Sequence, residues 1–274
     1  MATTMSLPKA LPRPTERSTS TWAHRHRSAL LGIAGMAVVL VCWQLSTALG
    51  IVDVNFSSNP ARTFSAGVDL FSTGVIWHPL AVTGYELLWG LGIVLIAGIP
   101  IGLLLGRSRV LHDMTEPIIN VLYSVPYVMF LPIIIFWFGL ENTSRVIVIV
   151  WAGILPLIIN ITAGVRNLNR DYSRVATVFC TPRLKFFYAI ALPATLPYIL
   201  AGVRLAVGRA LVGAIVAELF LASEGLGYFV QTQTANFNVD SAMAGIVLLA
   251  VVALLLNGAV RMIERRFVHW SGAQ

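Results

Sequence analysis

DYSRVATVFCTPRLKFFYAIALPATLP, from Asp171 to Pro197, is a polar and basic island between two strongly apolar runs, and its reading decides the fold. Asp171 suits the N-cap of a short helix, because its carboxylate accepts free N–H groups of the first turn. Thr181-Pro182 predicts the start of a second helix, since proline at the first helical position lacks an N–H that would be orphaned anyway. Pro193 and Pro197 disfavour helical conformation in the residues before them. The expectation is a helix–break–helix between membrane spans, a shape suited to docking a partner.

The composition places the rest of the chain in lipid. Of 274 residues, 57% are hydrophobic and 11% charged, and the mean hydropathy is +0.79. Soluble domains are nearer one quarter charged. Residues 1–28, rich in Ser, Thr, Pro and Arg, predict a disordered tail. Residues 29–49 carry no charge and are long enough to cross ~30 Å of hydrocarbon. A signal peptide is the alternative there, although its apolar region would be long for that role. Residues 50–79 are mixed, with turn signals at Asn59-Pro60 and His78-Pro79, and read as an outer loop. Further apolar runs at about 80–105, 117–140, 145–165, 199–222 and 242–260 complete six spans, leaving a tail at 263–274.

Charge tests this topology. Fifteen of the nineteen Lys and Arg fall in the tails, the loop after the second span and the 166–198 island; Arg62 and Arg145 lie opposite, and Arg204 and Arg209 lie within span five. Cytoplasmic segments carry the positive excess. Both termini and the island are therefore expected in the cytoplasm. A net charge of +7 then encodes orientation, and no nucleic-acid partner is implied.

Motifs for covalent chemistry are missing. There is no phosphate-binding glycine loop, the only lysines being Lys9 and Lys185, and no HExxH metal motif. Cys42 and Cys180 offer neither a disulfide framework nor metal-ligand spacing. No span interior holds a histidine to serve as the base of a nucleophile–base pair. The expectation is no catalytic residue, no metal and no cofactor on this chain. Any work against a gradient needs energy from a partner.

Charges inside spans are costly and often functional. They are Glu86, Arg204, Arg209 and Glu218. Arg204 and Glu218 are fourteen residues apart on one helix, roughly 21 Å along the axis and too far to pair. Two readings stand for these groups: hydrogen bonding to neighbouring helices, or, for Glu86 and Glu218, lining an outer gate. Spans two and three are dense in glycine and proline, with a Gly98–Gly102 step for close helix approach and kinks expected at Pro126 and Pro132. A translocation path and plain packing both fit. Ser223 to Tyr228, containing Gly225 and Gly227, reads as a tight turn leading to a re-entrant plug or a loop.

In this context the island resembles the signature loop of bacterial ABC-importer permeases, EAA-x3-G-x9-I-x-LP. The triplet falls on Arg174-Val175-Ala176, the glycine on Cys180, and Ile190 and Leu192-Pro193 fall at the required spacing. Only Ala176, Ile190, Leu192 and Pro193 match. More specific are PIIIFWFG (Pro132 to Gly139), Gly164-Val165-Arg166, LPATLP (Leu192 to Pro197), Gly202-Val203-Arg204, Ala217-Glu218, GLGY (Gly225 to Tyr228) and Glu264-Arg265-Arg266 before Trp270. In order and spacing they are similar to the nitrate/sulfonate/taurine branch, over about residues 50–270.

The resemblance implies an all-α integral membrane protein of the bacterial inner membrane with the type I importer permease fold, its permease core spanning 77–262. It implies a homodimer or a sister permease, two cytoplasmic ATPase subunits that use ATP and Mg and dock on coupling helices at 166–198, and an extracytoplasmic binding protein. Arg183, Lys185, Phe186 and Phe187 would join the signature positions in that docking surface, as aromatic anchors with a basic rim; membrane-interface anchoring of the aromatics is the alternative. Two departures stand out. Glu86 replaces an arginine frequent in the branch, and Arg174 reverses a usual glutamate. At Cys180 a left-handed conformation would cost ~1–2 kcal/mol, so a right-handed one, or a helix running into Thr181, is expected. A secondary transporter would instead show an internal repeat with polar sites on broken helices at the midplane, and no repeat is evident.

Overall fold

Residues 21–168, 176, 178–221 and 223–267 are described by a computed structural model. The regular structure among them is helical. Two units form, residues 1–52 and 53–274. The first contains α1, Thr21–Ala48, of which Leu30–Ala48 is apolar enough to span a membrane. Its aliphatic side chains, such as Ile33 and Val39, are exposed, as a lipid-facing helix requires. The tail expected to be disordered through residue 28 is already helical from Thr21, beyond the last of its prolines at Pro14; residues 1–20 lie outside the described residues.

The second unit opens with a correction. The expected outer loop at 50–79 holds two helices, α2 (Val54–Ser57) and α3 (Pro60–Ser72). The turn signal Asn59-Pro60 is a helix start: the Asn59 side chain accepts the N–H of Arg62 at 2.9 Å and Pro60 sits in the first turn, as capping and proline chemistry allow. Asp240, near the start of the last helix, pairs with Arg62 at 2.7 Å and accepts from Ser58 Oγ at 2.7 Å, fastening α3 to it.

Long helices follow: α4 (Trp77–Arg107), α5 (Arg109–Ser124), a 3-10 turn (Tyr127–Phe130) leading into α6 (Leu131–Phe138), and α7 (Asn142–Arg166). The chain continues through α8 (Arg183–Phe186), a π-helical turn (Phe187–Ala191), α9 (Leu192–Leu221), α10 (Leu226–Ala235) and α11 (Val239–Phe267). Five helical stretches are long and apolar enough to cross a membrane; counting α5 with the turn and α6 as one broken span makes six.

The core is α7 packed between α4 and α9. Close approach comes from the expected glycine step: a Cβ on Gly98 would lie 2.8 Å from Leu157 Cδ2, and one on Gly102 2.8 Å from Ile161 Cβ. Leu157 and Ile161 join Val94, Ile199 and Ala206 in a buried cluster that ties all three helices. In lipid there is little hydrophobic force between helices, so this contact relies on van der Waals fit.

Three span boundaries differ from expectation. The third span, read as one run over 117–140, is broken, its halves meeting at 89°. Val125, forced out of the helical region by the following proline, has φ −80° and ψ 127°. Pro132 lies in the first turn of α6, where its missing N–H costs nothing, so it starts a helix and does not kink one.

The second correction concerns Pro193 and Pro197, which do not break the chain. Helix runs without interruption from Arg183 to Leu221, and the apolar span is Phe187–Leu221, twelve residues longer at its start than the 199 boundary. The π turn is the reason at Pro193. Leu192 N–H donates to Phe187 O, five residues back, and the widened turn relieves the clash between a proline ring and the preceding carbonyls. The third is α11, which continues to Phe267, past the 242–260 run and into the expected tail.

Candidate functional site

Three constellations collect the residues singled out by sequence: the island, a buried polar cluster, and a cavity at the broken span. In the island, residues 169–175 and 177 lie outside the described residues, and with them the Asp171 cap, Arg174 and Val175; so does Trp270. Of Arg183 only the helical backbone is described. Ala176 is buried, whereas Val178 and Phe179 are 79% and 76% exposed. Sequence reasoning passed over that apolar pair, although two large apolar residues beside a helix end are a legible signal. Lys185 and Tyr188 are exposed, Phe186, Phe187 and Ile190 half-buried. The Arg107 guanidinium stands over the Phe187 ring at 5.6 Å, joining the end of α4 to the π turn; such a pair contributes about 0.5–1 kcal/mol at exposed sites. Leu192 packs on the core cluster and Pro193 is exposed.

Cys180 contradicts the expectation. Its φ is +49°, left-handed, with no helix running into Thr181. Thr181 N–H donates to Ala176 O at 2.9 Å, the six-to-one bond of a Schellman C-cap, which satisfies a carbonyl otherwise orphaned at the helix end. That bond, with Pro182 barring further helix, outweighs the cost of a Cβ in the left-handed region. Cys180 therefore does what the glycine of the signature would do, at higher conformational cost.

The buried polar cluster lies where α4, α7, α9 and α10 meet. Glu86 is fully buried and accepts from Arg145 Nε at 2.6 Å; Arg145 is itself 4% exposed and also donates to Asn142 Oδ1. Three residues earlier on the same face of α4, Thr83 Oγ1 donates to Glu218 at 2.5 Å and accepts the Leu226 N–H at 2.9 Å. Glu218, also fully buried, takes the Gly227 N–H at 2.6 Å on its other oxygen.

The glycines of GLGY follow from this. Gly225 has φ +100°, and a Cβ there would overlap the Glu218 carboxylate; one on Gly227 would lie 2.8 Å from Glu218 Cβ. The turn left open as plug or loop is the start of α10, folded onto a carboxylate. Glu86 and Glu218 bond to neighbouring helices, and neither faces open space. Sequence reasoning misses Arg145 and Thr83: charge position alone groups Arg145 with the outer loops, yet it opens an apolar run in a chain with few acids.

The remaining span charges divide. Arg204 pairs with Glu264 of α11. Arg209 is exposed and lines a cavity of roughly 300 Å3 at the break of the third span, with Tyr123, Ser124, Pro126, Tyr127 and Trp151. Phe130 stacks on Trp151 with ring centroids 4.8 Å apart. On α5, His112, Asp113 and Glu116 gather potential metal-ligand atoms at the surface, and His112 Nε2 meets Glu116 at 3.3 Å; an i,i+4 helix pair accounts for that contact.

Comparison with known proteins covers the same ground. Residues 98–269 match the family described as binding-protein-dependent transport system inner membrane component. The chain is 30% identical over 251 residues to the taurine transport system permease protein TauC of Escherichia coli (strain K12), covering 90% of this chain and 91% of that one. It is 33% identical over 195 residues to the nitrate import permease protein NrtB of Leptolyngbya laminosa, covering 71% and 70%. A chain of the MetNI methionine ABC transporter, solved in inward-facing conformations, superposes with a TM-score of 0.55 at 17% identity, over 70% of this chain and 94% of that one. At that identity the likeness concerns the fold.

Proposed function

The chain belongs to the family of binding-protein-dependent transport system inner membrane components, and from that premise we propose how it assembles and what it carries. It is a non-catalytic ABC-importer permease subunit of the nitrate/sulfonate/taurine branch, with the type I permease fold. Hydrolysis belongs to partner ATPase subunits. The observation that carries the reading is the family match over 98–269, which contains the island, both halves of the broken span, and Glu218 with its Gly225–Gly227 turn.

On this reading two ATPase subunits dock from the cytoplasm on the 166–198 island, with Val178, Phe179 and Tyr188 as apolar anchors and Lys185 on the rim. Arg174, Val175, Ala176, Cys180, Arg183, Phe186, Phe187, Ile190, Leu192 and Pro193 complete that surface or hold it in shape. Charge distribution supports cytoplasmic termini. The permease works as a pair, with itself or a sister chain, and a binding protein delivers solute to the opposite face. The solute is small, of the kind named for the relatives, taurine or nitrate. Pro126 and Arg209 stand on the path through the permease, and the Glu86 and Glu218 clusters hold the helices around it.

The test is ATP-dependent uptake in proteoliposomes. Permease, ATPase and binding protein together should accumulate labelled taurine or nitrate, and omission of any one should abolish it. Uptake that persists without the ATPase would sink the proposal and favour a secondary transporter.

A further inference from the structure

Among the described residues, Arg209 is the one charge near the middle of a span with neither an ion pair nor a hydrogen bond. Glu86 has Arg145, Arg204 has Glu264, and Glu218 has Thr83 and Gly227. Arg209 sits near the middle of α9, eleven or more residues from either end. An arginine at mid-membrane costs about 2.5–3.5 kcal/mol even on insertion scales. A fold that gives its other span charges at least one partner and leaves this one on a cavity wall holds it for something that arrives.

The cavity has the character of an anion site. Its described lining includes no Asp or Glu. The Trp151 side chain also lines it, and its indole Nε1 is buried without a hydrogen-bond partner. The irregular backbone at Val125–Pro126 belongs at membrane depth only where it is covered by protein or lines a water-filled cavity. A volume of roughly 300 Å3 exceeds what one small solute fills. A guanidinium presents a planar fork of donors that matches two oxygens of a carboxylate, nitrate or sulfonate.

We propose that this cavity is a transient anion site on the translocation path, in which Arg209 recognises a small oxyanion. The proposal rests on the permease reading above and assigns to Arg209 the recognition of that solute's acid group. One guanidinium in a hydrated cavity gives the weak binding that transport needs, strong enough to enter and weak enough to leave.

The test uses the complete importer in proteoliposomes, with labelled taurine, methanesulfonate and nitrate as acid-bearing probes, each run beside uncharged methanesulfonamide as a control. Wild type imports at least one of them; R209Q lowers uptake of that probe at least tenfold, and R209K recovers part of the loss. Assembly is read separately, from the ratio of ATPase to permease on co-purification. A second variant, S124E, places a carboxylate on the cavity wall as a resident partner for Arg209, and is expected to assemble normally and to block uptake of the same probe. Wild-type uptake in R209Q or in S124E overturns the proposal. So does loss of permease pairing in R209Q, which would make Arg209 an interface residue, and so does a wild type that imports only the uncharged methanesulfonamide. A wild type that imports nothing with ATP, ATPase and binding protein present fails before any variant is made, and then the permease reading itself is at fault.

Discussion

The Glu86–Arg145 pair offers the most decisive test of how the helices are held. Arg145 is 4% exposed and Glu86 is fully buried, with Oε2 lacking any partner. Replacing Arg145 by Met keeps an unbranched apolar stem, shorter than that of arginine, and removes the guanidinium, stranding a carboxylate between α4 and α7. Breaking a buried pair from one side costs about 3–5 kcal/mol, whereas replacing both partners by apolar groups of similar volume is often neutral. At 1.4 kcal/mol per factor of ten, R145M should shift the unfolding equilibrium by about two to three and a half orders of magnitude. The double variant E86L/R145M should recover most of that. The assay is reversible unfolding of the detergent-purified permease in mixed micelles, for wild type, both single variants and the double variant, so that the coupling energy follows from the cycle. A coupling energy below about 0.5 kcal/mol, the level at which independent sites simply add, would refute the claim that these residues act as a pair.

Other expectations are shorter. Gly225→Ala and Gly227→Ala each drive a methyl into the Glu218 side chain, and overpacking of this kind costs about 1–3 kcal/mol; a melting temperature equal to wild type in either would show that α10 is not seated on Glu218. Phe179→Asp and Val178→Asp should each reduce co-purification of the ATPase by tenfold or more while the melting temperature of the permease stays put, since both side chains stand in the open; undiminished co-purification would move the docking surface elsewhere. Cys180→Gly removes a left-handed cost of ~1–2 kcal/mol and adds about 0.4–1 kcal/mol of unfolded-chain entropy, so thermal unfolding should show a net gain of between zero and about 1.6 kcal/mol; destabilisation would contradict the φ of +49°. Cys180 is exposed, so an impermeant maleimide should label it in inside-out vesicles and not in intact cells, and the reverse would invert the topology drawn from charge.

The spans were legible because lipid imposes one simple rule, long uncharged runs, and because the positive residues cluster on alternate loops. The Gly98–Gly102 step was legible for a similar reason: a small residue every fourth position can serve only one face. What the residues did not disclose was pairing across the fold. Arg145 and Glu86 are 59 positions apart, and Thr83 and Glu218 are 135 apart; nothing local to either member indicates the other. Proline was misjudged in both directions. At Pro126 the expected kink is a full break, because Val125 leaves the helix and no neighbouring turn closes over it. At Pro193 the expected break is absent, because a single π turn accommodates the ring. Local rules fix what a proline forbids and leave open which of several geometries complies. Cys180 follows the same logic, since the cost of a left-handed residue was counted and the carbonyl that its cap satisfies was not.

That uninterrupted helix bears on how the proposed docking surface would reach the rest of the molecule. Had the chain broken before Pro193, the island would be a separate piece joined to the fifth span by a hinge, and a push on one would be absorbed at the joint. Instead Phe187–Leu221 is one run of 35 residues, about 50 Å long at 1.5 Å per residue. Its N-terminal end carries the aromatic π turn clamped by Arg107, its middle carries Arg209 on the cavity wall, and its C-terminal end carries Glu218, bonded to α4 through Thr83 and to α10 through Gly227. The α4 face that meets Glu218 also meets Arg145 of α7 through Glu86. A displacement at the island therefore has a stiff path to the cavity, and the buried carboxylates resist its dissipation by sliding between helices. The compliant points are the π turn, where the hydrogen-bond ladder is already widened, and the 89° break at Val125–Pro126. If the island receives force from an ATPase, the wall bearing Arg209 and the wall bearing Tyr127 are the two surfaces of the cavity that can move apart, one carried by the rigid helix and the other hinged at the break.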